Sequence, residues 1–272
     1  MIDSDRRVTW LLKQPPKLRQ FMWHKVYNKL AAMDKLGELL FINYGYAQET
    51  TENQLELKPQ DEPYRYAIQL YNHVIDGINV KDKDLLEIGC GRGGGGAFIL
   101  NHKYPRTFTG LDLSEFAIKR CAKKFPFDNA HWLQGSADRV PLPNQCMDVV
   151  LNVESSHCYP CIKSFLSETK RILRPNGYLA LCDLRAAKDV KIFDHQIKHS
   201  GLQLMQRRII TPQVLHALDK ISLQREAMIK ALFPRFLISV AYDFFAVKDS
   251  GVYNMLRTGK LVYLSYLLRN AT

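Results

Sequence analysis

Several things are scarce in this chain, and each scarcity excludes something. No apolar run in its 272 residues approaches the roughly 20 needed to span a bilayer. The opening residues MIDSDRRV are polar and charged, with no apolar stretch leading to a small-residue cleavage site, so no secretory signal and a cytoplasmic location are expected. Cysteine is sparse: Cys90, Cys121, Cys146, Cys158, Cys161 and Cys182 are scattered in apolar context, as reduced thiols are. Cys158 and Cys161 form a C-x-x-C, but only His157 lies beside them as a further ligand, too few for a zinc site. Dense Lys/Arg blocks are also missing although the net charge is +11. That argues against nucleic acid as a partner and for a generally solvated surface. The exception is RRVTWLLKQPPKLRQFMWHKVYNKL, which mixes basic residues with Trp10, Phe21, Trp23 and Tyr27. A basic-aromatic segment of this kind can lie on a membrane surface or cover a groove.

What is present is an alternation of strand and helix signals. Pro63 can open a helix over YRYAIQLYNHVIDGI. DLLEIG reads as a first strand and FTGLDLS as a second. Ser114 can then cap a helix carrying Ala117, Ile118, Cys121 and Phe125. AHWLQ reads as a third strand. MDVVLNVE is a fourth, so apolar that both of its faces must be covered. Ile162, Phe165, Leu166, Thr169 and Ile172 recur at helical spacing until RPNG stops them, with Gly177 available for a positive φ. YLALCDL is a fifth strand. The pattern predicts an α/β fold with a mostly parallel sheet and helices on both faces. It divides into an N-terminal helical cap (1–62), a core (63–187), a helical substrate-cover insertion (188–243) and a closing strand pair (244–272), the pair being 244–249 and 261–268.

Six of the eight residues from Gly89 to Gly96 are glycine. A glycine-rich loop after a first strand lets the main chain approach a ligand and turn into a helix. The literal match to G-x-G-x-x-G is weak alone. Glu87, two residues before the first glycine, suits a cationic amino group better than a pyrophosphate. Asp112, 23 residues after Gly89, ends the second strand, where a carboxylate can accept ribose hydroxyls.

With these residues the chain resembles the class I S-adenosylmethionine (SAM)-dependent methyltransferases. The ordered motifs are E-x-G-x-G at 87–91, LDLS at 111–114, GSAD at 135–138, DVVLN at 148–152 and LRPNGY at 173–178. FINYGYA, DEPYR, LNVESSHCY and DLR extend the resemblance to the phthiotriol/phenolphthiotriol dimycocerosate O-methyltransferase group, itself similar to polyketide and macrolide O-methyltransferases. The resemblance implies a Rossmann-like seven-stranded sheet and SAM as methyl donor, with S-adenosylhomocysteine as product. By position, Glu87, Gly89, Cys90 and Gly91 would hold the methionine part, and Asp112 and Leu113 the ribose and adenine. Ser136 and Ala137 would flank the adenine, with Asn152 and Val153 beneath the sulfonium. Tyr46 matches a tyrosine whose hydroxyl reaches the cofactor's carboxylate in related enzymes. Four glycines in a row exceed what the motif needs.

Methyl transfer to an alcohol needs a base for the departing proton, and histidine titrates in the right range. His157, just after the fourth strand, is the expected base. Glu154 is a candidate to orient it, and Asp183 a second base or orienter. No acidic trio suits a Mg²⁺ site, so metal independence is expected. The reading is an O-methyltransferase of a large apolar acceptor such as a polyketide, macrolide or lipid. Carbon methylation of a lipid or isoprenoid and an idle SAM-binding interaction module are the alternatives, and the oligomeric state is left open.

Overall fold

The computed structural model describes Leu18, residues 39–48 and residues 55–272. Apart from Leu18, the basic-aromatic segment considered for membrane contact lies outside the described residues, like most of the expected helical cap. Residues 39–48 form an irregular strap with no helix.

Seven strands form one sheet: β1 (Asp84–Ile88), β2 (Thr107–Asp112), β3 (Ala130–Gln134), β4 (Met147–Val153), β5 (Leu173–Ala186), β6 (Gln203–Ile209) and β7 (Leu261–Arg269). Their order is β3-β2-β1-β4-β5-β7-β6. The first five are parallel neighbours, and β7 runs antiparallel between β5 and β6. The chain reverses direction across the sheet at β1/β4, the switch point where ligands bind beyond the strands' C-terminal ends.

Helices α1 (Arg65–Val74), α2 (Gly94–Lys103), α3 (Glu115–Lys124), α4 (Ile162–Ile172) and α5 (Val190–Lys198) cover the two faces, followed by α6 (Thr211–Leu232), α7 (Ile238–Phe244) and α8 (Gly251–Arg257). Each face buries its own apolar cluster, one around Leu85, Val149 and Tyr263, the other around Leu86, Val150 and Leu181. Adjacent β4 residues thus feed opposite clusters, which is why that strand is apolar throughout. Ser114 caps α3 by accepting from the Ala117 amide at 3.3 Å. After α4, Asn176 rather than Gly177 takes the positive φ, at 66°. Gly177 is needed for closeness instead, since a Cβ there would sit 2.9 Å from the Asp148 carbonyl oxygen.

The closing pair differs from expectation. Residues 244–249 are not a strand: Phe244 ends α7, Phe245 and Val247 are buried in a third cluster with Leu39, Ile229 and Ala241, and Ala246 is buried in the cluster around Leu85, Val149 and Tyr263. The partner of β7 is β6, inside the stretch expected to be helical. Its sequence QLMQRRI lies at the sheet edge, almost wholly exposed, and carries no two-residue apolar alternation to reveal it. Phe245 to Val247 look like a strand because they are continuously apolar, yet Phe245 and Val247 are buried with Ile229 of α6 and Ala241 of α7.

Candidate active site

A cavity of about 840 Å³ opens beyond the C-terminal ends of β1, β2, β4 and β5. Its volume falls in the range usual for small-molecule sites. One end is main chain and carboxylate. Gly89, Cys90, Gly91, Asp112, Leu113, Ser136, Ala137 and Val153 all line it. A Cβ at Gly91 would meet nothing within 4 Å, so that stretch of backbone faces open space. The Asp112 carboxylate accepts from the Gly91 amide at 3.0 Å and the Ser114 amide at 2.9 Å, which orients it at the cavity wall. Bare backbone, a fixed carboxylate and the apolar Leu113 and Ala137 fit an adenosyl group with its ribose hydroxyls.

Close packing within the protein also requires glycine in this run. Gly89 has φ 82°, and a Cβ there would lie 1.9 Å from the Ser155 hydroxyl. Cβ atoms at Gly94, Gly95 and Gly96 would strike the Leu40 carbonyl, the Tyr71 ring and the Phe108 ring, at 2.6, 2.1 and 2.6 Å. The surplus glycines therefore let α2 lie against the strap, α1 and β2.

Three expected cofactor residues do not line the cavity. Glu87 is fully buried below it, where Tyr71, which does line it, donates to Oε1 at 2.6 Å. Its Oε2 has no hydrogen-bond partner. Burial, with the Asp112 charge adding to it, pushes the Glu87 carboxyl up to about 7 against the Tyr71 hydrogen bond. Asn152 is also buried, donating to the Ile88 carbonyl at 2.9 Å and the Tyr159 hydroxyl at 2.8 Å. Tyr46 stacks on His73, with ring centroids 4.3 Å apart, because the strap turns its ring onto α1. Tyr44, two residues earlier, lines the cavity in its place.

The other end is built on the turn after β4. His157 lies on the short 3₁₀ turn Ser156–Cys158 and lines the cavity. Its Nδ1 is 2.8 Å from Asp183 Oδ1, and its amide donates to Asp183 Oδ2 at 2.7 Å. Ser156 donates to the same oxygen at 2.6 Å, and the Arg185 guanidinium stands 3.1 Å away. Asp183, behind the histidine on β5, is fully buried; burial opposes its charge, but His157, Arg185 and these hydrogen bonds hold the carboxyl well below the usual range. Burial likewise works against the imidazolium, yet Cys158 and Asp183 raise the His157 pKa well above its ordinary value.

Glu154 makes no hydrogen bond to that imidazole, contrary to the role expected of it. Its backbone takes φ 48°, a strained value for a non-glycine residue. It is held there by the Tyr44 amide and the Tyr263 hydroxyl, both donating to Oε1 at 2.6 Å. Glu154 lies only three residues before His157, a local closeness, whereas the pairing of His157 with Asp183 joins two neighbouring strand tips. Burial leads the causes that push Glu154 up to about 7. The full set of partners was not visible beforehand. Tyr71, Tyr263 and Arg225, which donates to the Asn43 carbonyl at 2.7 Å, come from distant segments with no local motif. Arg185 was visible in DLR, next but one to Asp183.

Phe193 from α5, Phe233 from the end region of α6 and Leu237 before α7 wall this end. Among the described residues no cluster of His, Cys, Asp and Glu is arranged to hold a metal ion, and no helix is long and apolar enough to cross a membrane.

Known proteins share these features. A family model described as a methyltransferase domain matches residues 86–181, from β1 through the middle of β5. The phthiotriol/phenolphthiotriol dimycocerosates methyltransferase of Mycobacterium leprae is 36% identical over 85% of this chain and 86% of its own length. This chain belongs to the SAM-dependent methyltransferase family that contains those enzymes. A fatty-acid O-methyltransferase of Mycolicibacterium smegmatis is 34% identical over 87% of this chain and 85% of its own. Among solved structures, a cyclopropane synthase from Mycobacterium tuberculosis superposes with TM-score 0.66, at 15% identity over 86% of this chain and 98% of that one. That last likeness is one of fold. The methyltransferase is thus a class I enzyme in sheet order as well as in motif order.

Proposed function

We propose that this methyltransferase transfers the SAM methyl group to a hydroxyl of a large apolar acceptor of the lipid or polyketide class, with His157 as general base. The observation that carries the reading is the Asp183–His157 pair at the rim of a cavity that is backbone and carboxylate at one end and aromatic at the other. When bound, SAM supplies an activated methyl group on a sulfonium. Gly89, Cys90, Gly91 and Asp112 would hold it by main chain and carboxylate, with Leu113, Ser136 and Ala137 beside the adenine and Val153 beneath the sulfonium. Glu87 and Asn152 act from below, through Tyr71 and the Ile88 carbonyl.

His157 accepts the acceptor's hydroxyl proton as the oxygen attacks. Asp183 holds the Nδ1 side of the ring and stabilises the imidazolium that forms. Ser156 and Arg185 keep Asp183 ionised and in place. Phe193, Phe233 and Leu237 exclude water and take the acceptor's chain. The relatives named for phthiotriol dimycocerosates and fatty acids support an acceptor of lipid type.

His157→Ala is expected to retain SAM affinity by calorimetry while the rate with extracted lipid acceptors drops by at least about a hundredfold, the usual worth of a general base. A rate within a few-fold of wild type removes His157 from the mechanism. Isotopic labelling of the SAM methyl, followed by analysis of the product, must place it on oxygen; a methyl on carbon overturns the hydroxyl assignment.

A further inference from the structure

The acceptor end of the cavity opens onto a rim that is unusually apolar on its outside. Ile192 is 60% exposed and Val240 47% exposed, and both also line the cavity. Phe236, beside cavity-lining Leu237, is 80% exposed. Single exposed apolar side chains are ordinary, but here they ring an opening and run inward to Phe193 and Phe233. The charges on the same two segments are nearly all of one sign. Across residues 187–193 and 231–240 they are Lys188, Lys191 and Arg235 against Asp189 alone, and Asp189 belongs to the cavity wall.

We propose that this rim docks on an anionic lipid bilayer, with Phe236 entering the headgroup region and Lys188, Lys191 and Arg235 meeting lipid phosphates around the opening. Exposed aromatic and aliphatic groups ringed by lysine and arginine are the chemistry of interfacial binding, and the chain's net charge of +11 adds long-range attraction. Docked in this way, the cavity mouth meets the membrane, and an apolar acceptor passes from bilayer to cavity without crossing water. The purpose rests on the apolar-acceptor reading; the surface itself does not.

The test is co-sedimentation of the full chain with phosphatidylcholine vesicles and with vesicles that also contain phosphatidylglycerol. Binding should require phosphatidylglycerol and weaken as salt rises. Phe236→Asp, and Lys191→Glu combined with Arg235→Glu, should each weaken it by about tenfold or more, since each basic residue near such a surface is worth on the order of 1 kcal/mol. The matched control is Lys123→Glu with Lys124→Glu. These residues end α3, the helix whose cap Ser114 lies at the cavity and which runs away from it. The control should change binding by less than about twofold per residue. Rim variants that bind like wild type, or a control that loses as much as they do, overturn the proposal. SAM affinity measured on the same variants shows that they are folded. Loss of vesicle binding with SAM affinity intact leaves the methyltransferase reading standing, whereas absence of SAM binding in wild type sinks that reading and not the docking surface.

Discussion

Glu87 at the tip of β1 and Asp183 on β5 are both buried carboxylates, 0% and 1% exposed, yet their acidities move in opposite directions. Glu87 has one hydrogen-bond donor, Tyr71, and an oxygen left without a partner, so burial dominates and its pKa climbs to about 7. Asp183 receives the Ser156 hydroxyl, the His157 ring and amide, and the Arg185 guanidinium, so the same burial is overcome. What a buried acid does is decided by the groups that come with it. At β5 they are two cations, which keep an anion ready to orient a base. At β1 they leave a carboxyl that holds its proton until near neutrality, beneath the end of the cavity that fits a cationic cofactor.

Removing the charge at β5 tests this contrast most severely. Asp183→Asn should lower turnover by about a hundredfold or more and let the His157 pKa fall back toward its ordinary value. Because the base form of His157 is the active one, kcat/KM in the wild-type enzyme should rise with pH, with a midpoint above 6.5. The variant's midpoint should lie lower, and an unmoved profile would show that Asp183 does not set it.

The next effect concerns Glu87. A carboxyl whose folded-state pKa is raised stabilises the fold while protonated, and that contribution disappears as pH climbs from the unfolded value of 4.5 through about 7. Unliganded protein should therefore lose stability across this window, by on the order of 3 kcal/mol from this group. Glu87→Gln should flatten the dependence of Tm on pH, leaving the part due to Glu154. A slope as steep as wild type would separate Glu87 from the effect.

Tyr71 supplies the one donor to Glu87, and Gly95 makes room for its ring. Gly95→Ala would place a Cβ 2.1 Å from that ring and should cost about 1–3 kcal/mol in urea unfolding. A neutral result would mean that Tyr71 can move without loss. The smallest change belongs to Tyr46→Phe, which should leave SAM affinity within about twofold, since Tyr46 packs on His73 away from the cavity, whereas a lost hydrogen bond to the cofactor would cost about fivefold, or about 1 kcal/mol. A larger loss would restore the cofactor role expected from the motif.

The legibility of this protein followed the range of the interactions involved. The glycine loop, Asp112, the apolar run of β4 and the spacing of α4 are local patterns, and the structure carries each where the motifs put it. The edge strand β6 was hidden because an exposed strand has no apolar alternation. Phe245 and Val247 misled because burial by helices leaves the same composition as burial in a sheet.

Residue order alone settled that β1 must run into bare main chain, that carboxylates must stand at the tips of β1 and β2, and that a histidine must follow β4. Local chemistry is enough for that, because each feature is specified within a few neighbouring residues. Only the folded chain decided which acid faces the histidine, which acids are pushed toward neutrality, and that a surplus of glycines admits aromatic rings. Those outcomes depend on partners up to about a hundred residues away, such as Tyr263 at Glu154, and the free energy of a buried charge is set by the side chains that tertiary packing brings within hydrogen-bonding distance.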